Sequence, residues 1–458
     1  MKLTRFIETL FRRYLPSPFT IAILLTVLTV FLALLFADLP ENENRFVTIL
    51  NFWEEGIWNT GLLVFAYQMM LILVLGHVLV LSKPMEKLIH RLSRFVNNTA
   101  DAAVIVASTT MLVSFFNWGL GLIFGALLAR KVGEYAQARN IPLNYPLIGA
   151  AGYTGLMVWH GGISGSAPIK VSEQGHLKDL MTSFGGPELL SQLPEYIPSS
   201  ETVFSSWNLL IFATVVLLIS LLAYRLGKTV RPTKLELTTF KFKDHEDDVP
   251  RGAEKLDRSV FLSTAVGVLI LLVFGLRYSS MITSLNITPN MLNLFMLGLA
   301  LILHGNFRDF LLAIEEAIGD TSGILIQFPL YFGIMGIMGN SGMISGISDF
   351  FISISNETTM PIFTFLSGGL VNIFVPSGGG QWAVQGPLVL ESALRLNVPL
   401  PKAVMALAYG DQITNMLQPF WALPLLGITK LKAKEILPYT LLFMFVGTVV
   451  YIAGLLLV

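Results

Sequence analysis

The strongest chemical signal in the sequence is a helix break at 375–382, which reads Val-Pro-Ser-Gly-Gly-Gly-Gln-Trp. Pro376 has no N–H to donate and the three glycines carry no side chains, so a helix is expected to end here. A helix that restarts beside Gln381 directs unpaired N–H groups at the gap, and such groups bind anions. The alternative is that the glycines only permit close helix packing. The residues predicted to bind a carboxylate here are Ser377, Gly378, Gly379, Gly380 and Gln381.

A second signal is Asp411, the only Asp, Glu, Lys or Arg in the apolar run 403–429. A charge at mid-bilayer costs about 3 kcal/mol or more, so an acid there is a functional candidate by default. Asp411 could carry a proton or help to hold a sodium ion, and a structural hydrogen bond is the alternative. Asn415 and Gln418 follow at i+4 and i+7 and would share its face of an unbroken helix. We predict ion coupling by Asp411, Gln412 and Asn415, and substrate contact by Gln418.

Two further polar breaks interrupt apolar stretches in the first half of the chain. One lies at 117–119, Asn-Trp-Gly, and the other at 159–166, Trp-His-Gly-Gly-Ile-Ser-Gly-Ser. In transporters built from repeats, helix N-termini and free carbonyls at such breaks face the substrate cavity. His160 could titrate near neutral pH, and a satisfied polar residue inside the bundle is an equal alternative. The substrate contacts predicted from these breaks are Asn117, Trp118, Gly119, Ser164 and Ser166.

Composition indicates that these breaks lie within a membrane. Of the 458 residues 53% are hydrophobic and only 13% are charged, whereas soluble domains carry about 25% charged residues. The charges crowd into short stretches, and the apolar runs between them have the length that crosses a bilayer. A net charge of zero provides no basic surface for nucleic acid. The absence of cysteine excludes disulfides and thiol chemistry.

The distribution of lysine and arginine predicts the orientation of the chain. Basic residues at 2–13 place the N-terminus in the cytoplasm, and the loop 37–59, with one arginine, is expected outside. The basic stretch 83–94 is typical of a cytoplasmic surface helix. The apolar run 102–129 lies between two basic segments, so we predict that it forms a re-entrant hairpin. Two full crossings are the alternative, for which the run is too short.

The second half of the chain repeats the first at an offset of 257 to 259 residues. Gln68 has a counterpart in Gln327, and the Asn-Ile-Pro-Leu sequence from Asn140 has one in Asn-Val-Pro-Leu from Asn397. Following the crossings, the second hairpin, 360–395, enters from outside, opposite to the first. Two repeats of opposite orientation are a transporter architecture.

The predicted fold is therefore an all-α polytopic membrane protein with two inverted-topology repeats, each containing a re-entrant helical hairpin and a broken transmembrane helix. We divide the chain into a first membrane repeat (1–169), an external segment with two linking transmembrane helices and a cytoplasmic linker (170–290), a second inverted repeat (291–430) and a C-terminal transmembrane helix (431–458). The expected location is a bacterial inner membrane, with the N-terminus in the cytoplasm.

These motifs resemble the bacterial short-chain fatty acid transporter family, the porters associated with acetoacetate and butyrate degradation, along nearly the whole chain. The most specific matches are 375–382 with Gln-Gly-Pro at 385–387, and Ala-Tyr-Gly-Asp at 408–411 with the stretch 415–424. The family is similar to a wider ion-transporter superfamily with paired hairpins and often elevator-type motion. At Asp411 the family accepts glutamate, which leaves the coupling ion open, and His160 stands where we expect glycine.

The resemblance implies uptake of short-chain fatty acids such as butyrate or acetoacetate. We expect a secondary carrier coupled to H⁺ or Na⁺, embedded in lipid and, from the architecture, homodimeric, with no cofactor and no certain metal. The alternatives are a carrier for dicarboxylates or other small organic anions, and an anion channel, because re-entrant hairpins also build channel filters. An enzyme is disfavoured because the spans contain no HExxH motif, Ser/His/Asp order or paired catalytic carboxylates.

Overall fold

The computed structural model describes residues 16–39, 44–84, 95–182, 187–234, 236–237, 252–283 and 288–458. Within these ranges the chain is helical and contains no strand. The basic residues at 2–13 and most of the basic stretch 83–94, which carried the predicted orientation and the predicted surface helix, lie outside the described residues.

The first half of the chain supplies ten of the described helices. They are α1 Pro18–Phe36, α2 Arg45–Ile57, α3 Thr60–Leu81, α4 Thr99–Phe116, α5 Trp118–Ala138, α6 Tyr145–Tyr153, α7 Ser166–Lys170, α8 His176–Met181, α9 Pro187–Gln192 and α10 Ser206–Thr229.

The second half supplies eleven more among the described residues. They are α11 Glu254–Asp257, α12 Val260–Thr283, α13 Pro289–His304, α14 Phe307–Ile318, α15 Ser322–Asn340, α16 Met343–Ser353, α17 Met360–Phe374, α18 Gly378–Arg395, α19 Leu400–Thr414, α20 Pro419–Thr429 and α21 Ala433–Leu457.

Seven of the described helices, α1, α3, α4, α10, α12, α15 and α21, are long and apolar enough to cross a membrane. Several direct large apolar side chains outward: Phe261 and Leu276 on α12 are 83% and 82% exposed. A soluble protein would bury such side chains, whereas lipid solvates them. The predicted all-α polytopic class is confirmed.

Both segments predicted to be hairpins form pairs of helices joined by a short tip, whereas their re-entrant course in the membrane stays a prediction. Asn117 alone joins α4 to α5, and its side-chain oxygen accepts from the N–H of Leu120 at 2.9 Å. Residues 375–377 join α17 to α18, and Ser377 Oγ accepts from the N–H of Gly380 at 3.2 Å. Each tip residue therefore caps the helix that follows it.

Both predicted broken helices also occur. Helix α6 passes into a 3₁₀ turn, Thr154–Met157, and the chain stays non-helical until α7. Helix α19 passes into a second 3₁₀ turn, Asn415–Leu417, before α20. The helical face that Asp411 and Gln418 would share in an unbroken helix does not form, because α19 ends at Thr414. Pro419 disfavours a helical conformation at Gln418 and cannot extend the preceding hydrogen-bond ladder.

The same order of elements occurs in both halves, and the halves interleave. The short helix α2 packs against α15, and its counterpart α14 packs against α3. Contact is closest at glycines, since a Cβ on Gly56 would lie 2.3 Å from the carbonyl oxygen of Phe332. The helix order agrees with a repeat, whereas the inverted orientation and the four chain segments stay predictions.

The segment between the first break and α10 packs against the second hairpin. Its apolar side chains form a hydrophobic cluster separate from the main core, together with side chains of α17, α18 and α19. From the segment come Ala167, Val171, Leu177, Met181, Leu193 and Ile197, and opposite them lie Trp382, Leu390 and Val404. A piece of the first half is thus attached to the hairpin of the second.

Close helix packing at Gly410 makes a test of this fold. A Cβ on Gly410 would lie 2.0 Å from the carbonyl oxygen of Phe365, so Gly410→Ala must push α19 away from α17. We expect the substitution to destabilise the protein by about 1–3 kcal/mol, as overpacking does. The measurement is the midpoint of thermal unfolding in detergent. Gly346→Ala on α16, where a Cβ meets nothing within 4 Å, is the matched control; equal unfolding midpoints for both variants would contradict the close crossing.

Candidate functional site

A cavity of about 240 Å³ lies between the tips of the two hairpins. Both hairpins, both helix breaks and the helices α3 and α15 contribute to its wall. Its lining residues are Leu62, Phe65, Trp118, Leu156, Trp159, Ser166, Phe332, Met335, Pro376, Ser377, Gly378, Gly379, Phe420 and Trp421. The four polar breaks predicted from the sequence therefore converge in space.

Five of the predicted substrate contacts line this cavity, and the other six do not. The five are Trp118, Ser166, Ser377, Gly378 and Gly379. Ser164 Oγ accepts from the N–H of Trp118 at 2.9 Å and so joins the first tip to the first break. Asn117 caps α5, Gly119 lies in its first turn and Gly380 packs against Ser377. Gln381 and Gln418 bond within the protein, as described below.

The second tip offers the cavity two main-chain donors. Gly378 and Gly379 are the first two residues of α18, and N–H groups at that position have no acceptor within their own helix. The dipole of α18 adds a partial positive charge at the same end. Ser166 faces this tip, since its Oγ lies 3.8 Å from where a Cβ on Gly379 would be. The arrangement can accept one small anionic group.

The rest of the cavity wall is aromatic and uncharged. The ring centroids of Phe65, Trp118 and Trp421 lie 5.2 to 6.2 Å from one another. None of the described residues that line the cavity is charged. Trp118 was predicted as a substrate contact, whereas Phe65 and Trp421 were not predicted from the sequence. Trp421 beside the break at Pro419 was the available signal.

Asp411 and His160 form a buried pair behind the second tip. Asp411 Oδ2 lies 2.5 Å from His160 Nδ1, and each side chain is 1% exposed. His160 Nε2 accepts from the N–H of Ala167 at 3.1 Å, so the proton of a neutral ring belongs on Nδ1, where it is donated to the carboxylate. Asp411 Oδ1 is buried and has no partner among the described residues.

Gln412 fixes the backbone on which His160 sits. Its Oε1 accepts from the N–H groups of His160 and Gly161, at 2.8 and 3.0 Å. The Gln412 side chain therefore binds the backbone of the first break, whereas the Asp411 carboxylate pairs with His160.

An amide network extends from this pair through the second hairpin. Asn372 on α17 donates to the carbonyl of Asp411 and to Asn415 Oδ1, both at 2.9 Å, and its own carbonyl accepts from Gln418 Nε2. Gln381 donates to the carbonyl of Gly368 and to Gln385 Oε1, inside the hairpin. Sequence reasoning missed Asn372, although it is the only amide residue of α17.

Tyr153 is a second residue that the sequence analysis missed. Its hydroxyl group lies 2.9 Å from the carbonyl oxygen of Asn415 and 3.0 Å from that of Gln418, at the turn between α19 and α20. It therefore holds the two helix breaks together. Within the described residues no cluster of three or more His, Asp or Glu groups could hold a metal ion.

The segment between the first break and α10 is joined to the second hairpin by a hydrogen bond that depends on pH. Trp382 Nε1 donates to His176 Nε2 at 3.0 Å, which requires an unprotonated nitrogen. Burial lowers the pKa of His176 below its ordinary value, and Lys170 lowers it further, while Glu173 and Asp179 oppose the shift. Because this pKa is lower in the folded state, the unfolded state binds more protons than the folded state. The stabilisation from this contact is therefore lost as the pH falls below about 6.5.

Acid should therefore loosen this segment locally. We expect amide hydrogen exchange in 166–182 to rise between about pH 7 and pH 5. His176→Phe removes the titrating group and should flatten this pH dependence once the intrinsic exchange rate is corrected for. The same pH response in His176→Phe and in the wild type would contradict the assignment.

The apolar spans and the hairpin-lined cavity define the class as a polytopic membrane transporter. The family model described as "Short chain fatty acid transporter" matches residues 1–458. The chain belongs to that family, which confirms the resemblance found from its motifs. Since the family and its curated members are transporters, the prediction that the chain is not an enzyme is also confirmed.

Two curated proteins named for short-chain fatty acid transport are similar over their full lengths. The protein of Escherichia coli (strain K12) is 36% identical, and that of Haemophilus influenzae (strain ATCC 51907 / DSM 11121 / KW20 / Rd) is 34% identical. Each alignment covers 99% of both chains. A solved structure of the efflux pump MtrF of Neisseria gonorrhoeae aligns over 99% of this chain and 97% of its own, with 14% identity and a TM-score of 0.43.

Proposed function

We propose that this protein is a secondary active transporter that takes up short-chain fatty acids, such as butyrate or acetoacetate, with H⁺ or Na⁺. The observation that carries the proposal is the cavity between the hairpin tips, which joins two helix N-terminal amides to an apolar wall. The carboxylate binds the N–H groups of Gly378 and Gly379 and the hydroxyl of Ser377. The hydrocarbon tail lies against Phe65 and Trp421.

The size and charge of the cavity support a small monocarboxylate. Its volume of about 240 Å³ lies below the range of about 300–1,000 Å³ that accepts drug-sized ligands. A dicarboxylate would place its second charge against uncharged side chains, which is costly without a partner. A carrier for dicarboxylates or other small anions is therefore the weaker alternative.

Transport requires the cavity to open alternately to the two sides of the membrane. We propose that the second hairpin moves together with residues 166–182 and 187–197, which are packed on it, because they share a hydrophobic cluster with the hairpin. Asp411, Gln412 and Asn415 couple this movement to the ion. The remaining proposals are a homodimer in the bacterial inner membrane, with its N-terminus in the cytoplasm.

The test is uptake of labelled butyrate into proteoliposomes under an imposed proton gradient and, separately, a sodium gradient. We expect saturable accumulation with one gradient, counterflow with unlabelled butyrate, and weak competition by succinate. Accumulation without counterflow or saturation would favour a channel. Vesicles that contain folded protein but take up no butyrate under either gradient would discard this substrate class.

A further inference from the structure

The buried His160–Asp411 pair touches the tip that we propose to bind the carboxylate. Gly378 begins α18 at the cavity, and a Cβ on it would lie 2.8 Å from Cε1 and 3.2 Å from Nδ1 of His160. The imidazole ring therefore packs directly against the tip. Charge on the pair acts on the anion site, because both members of the pair are buried and the imidazole ring is in contact with the tip.

The hydrogen bonds of the pair define how many protons it holds. With one proton, on His160 Nδ1, the pair is a neutral imidazole and a carboxylate, with a net charge of −1. A second proton on His160 Nε2 would break the bond from the N–H of Ala167. A second proton on Asp411 Oδ1, which has no partner among the described residues, would break none.

Other titratable groups near the pair have their protons engaged elsewhere. Tyr409 on α19 donates to Asn208 Oδ1, Tyr451 on α21 donates to the carbonyl of Met157, and the Tyr153 hydroxyl lies at the carbonyls of the α19–α20 turn. In the part of the chain that the structure describes, no lysine, arginine or second acid forms an ion pair with either member. Among these titratable groups, Asp411 is thus the one whose free oxygen, Oδ1, could accept a proton without loss of a described hydrogen bond.

We infer that the His160–Asp411 pair carries the coupling proton, on Asp411 Oδ1, and that one proton enters with each monocarboxylate. The inference rests on the proposed function and names its ion and stoichiometry. A carboxylate at Gly378 beside a pair that holds only the proton on His160 Nδ1 would place two negative charges close together next to a buried pair, which disfavours binding. A second proton, on Asp411 Oδ1, neutralises the negative charge of the pair.

Charge conservation follows from this arrangement. The empty carrier holds one negative charge on the pair, and the loaded carrier holds one on the substrate. The site never holds two, and the net movement of one H⁺ with one carboxylate is electroneutral. By linkage, the substrate raises the proton affinity of the pair by the same factor by which the proton raises substrate affinity.

The test measures proton uptake when butyrate binds to the purified full-length protein. The protein is in weakly buffered, sodium-free detergent solution with a pH indicator, at a pH where the empty pair holds only the proton on His160 Nδ1. We expect about one proton to be taken up per butyrate bound. Calorimetry in parallel counts the bound butyrate. In proteoliposomes, the accumulation ratio reached under a proton gradient should not change when a potassium diffusion potential is imposed.

Three variants locate the proton. Asp411→Asn should bind butyrate without proton uptake. Asp309→Asn, the same change in an acid of the first turn of α14, should still take up about one proton per butyrate bound. His160→Gln retains an amide donor for Asp411 but not the imidazole, so uptake should persist with a shifted pH midpoint. Proton uptake lost in His160→Gln while butyrate still binds would overturn the assignment to Oδ1.

The remaining outcomes separate this inference from the proposed function. Butyrate binding by the wild type without proton uptake, or binding only when sodium is present, overturns proton coupling and leaves the substrate standing. Because that measurement uses the unaltered protein, a variant that fails to fold does not affect it. Absence of butyrate binding in folded wild-type protein overturns the substrate, and this inference with it.

Discussion

Replacing Asp411 with asparagine should leave a transporter that exchanges butyrate across the membrane but does not accumulate it. The asparagine oxygen can still accept from His160 Nδ1, so the second break keeps its place. The amide cannot take up a proton, and without it substrate movement is no longer tied to the gradient. We expect gradient-driven accumulation to fall by about ten- to a hundredfold, the usual size of coupling between two sites.

The measurement compares accumulation with counterflow in the same proteoliposomes. Asp309→Asn is the matched control, because it makes the same chemical change in an acid of the first turn of α14, whose N–H donates to the capping residue Asn306. Counterflow shows that the variant protein is folded and inserted. If Asp411→Asn accumulated butyrate with the ion dependence of the wild type, Asp411 would have no role in coupling.

Adding one methyl group at Gly378 should impair binding far more than the same addition one residue later. A Cβ on Gly378 would lie 2.8 Å from His160 Cε1 and 2.8 Å from Cη2 of Trp159. Both nitrogens of the His160 ring are hydrogen-bonded, so the tip must shift instead. If the strain falls on the bound conformation, about 1–3 kcal/mol of overpacking weakens butyrate binding by about 5- to 150-fold.

Gly379→Ala is the matched control for this prediction. Its Cβ would meet nothing closer than Ser166 Oγ at 3.8 Å, an ordinary contact, so the tip need not move. Calorimetric titration of both variants with butyrate measures the difference. Equal affinities would show that the tip does not rest on His160 when the substrate is bound.

The breaks in the chain could be read from the sequence because local chemistry produces them. Pro376 and the glycines after it stop a helix wherever they occur, and Asn117 caps the helix that follows it. Likewise, a lone acid such as Asp411 in an apolar run is visible without knowledge of its neighbours. These residues defined both hairpins and the position of the cavity.

Pairings between distant segments could not be read in the same way. His160 and Asp411 are 251 positions apart, and the sequence around either residue does not predict its contact with the other. Asn372 and Tyr153 gain their roles only when the second hairpin and the first break meet. The end of the helix before Gln418 is different, because Pro419 is visible in the sequence and disfavours a helical conformation at the residue before it.

The anion site that we propose is built from the main chain, which has a consequence for how such a transporter diversifies. Substituting a side chain does not delete the N–H groups of Gly378 and Gly379, so recognition of the carboxylate survives most changes of the surrounding residues. The tail side of the cavity consists of replaceable side chains such as Phe65 and Met335. Inherited variation can therefore alter the preferred length or branching of the acid in single steps, while the acid group itself stays the fixed requirement for transport.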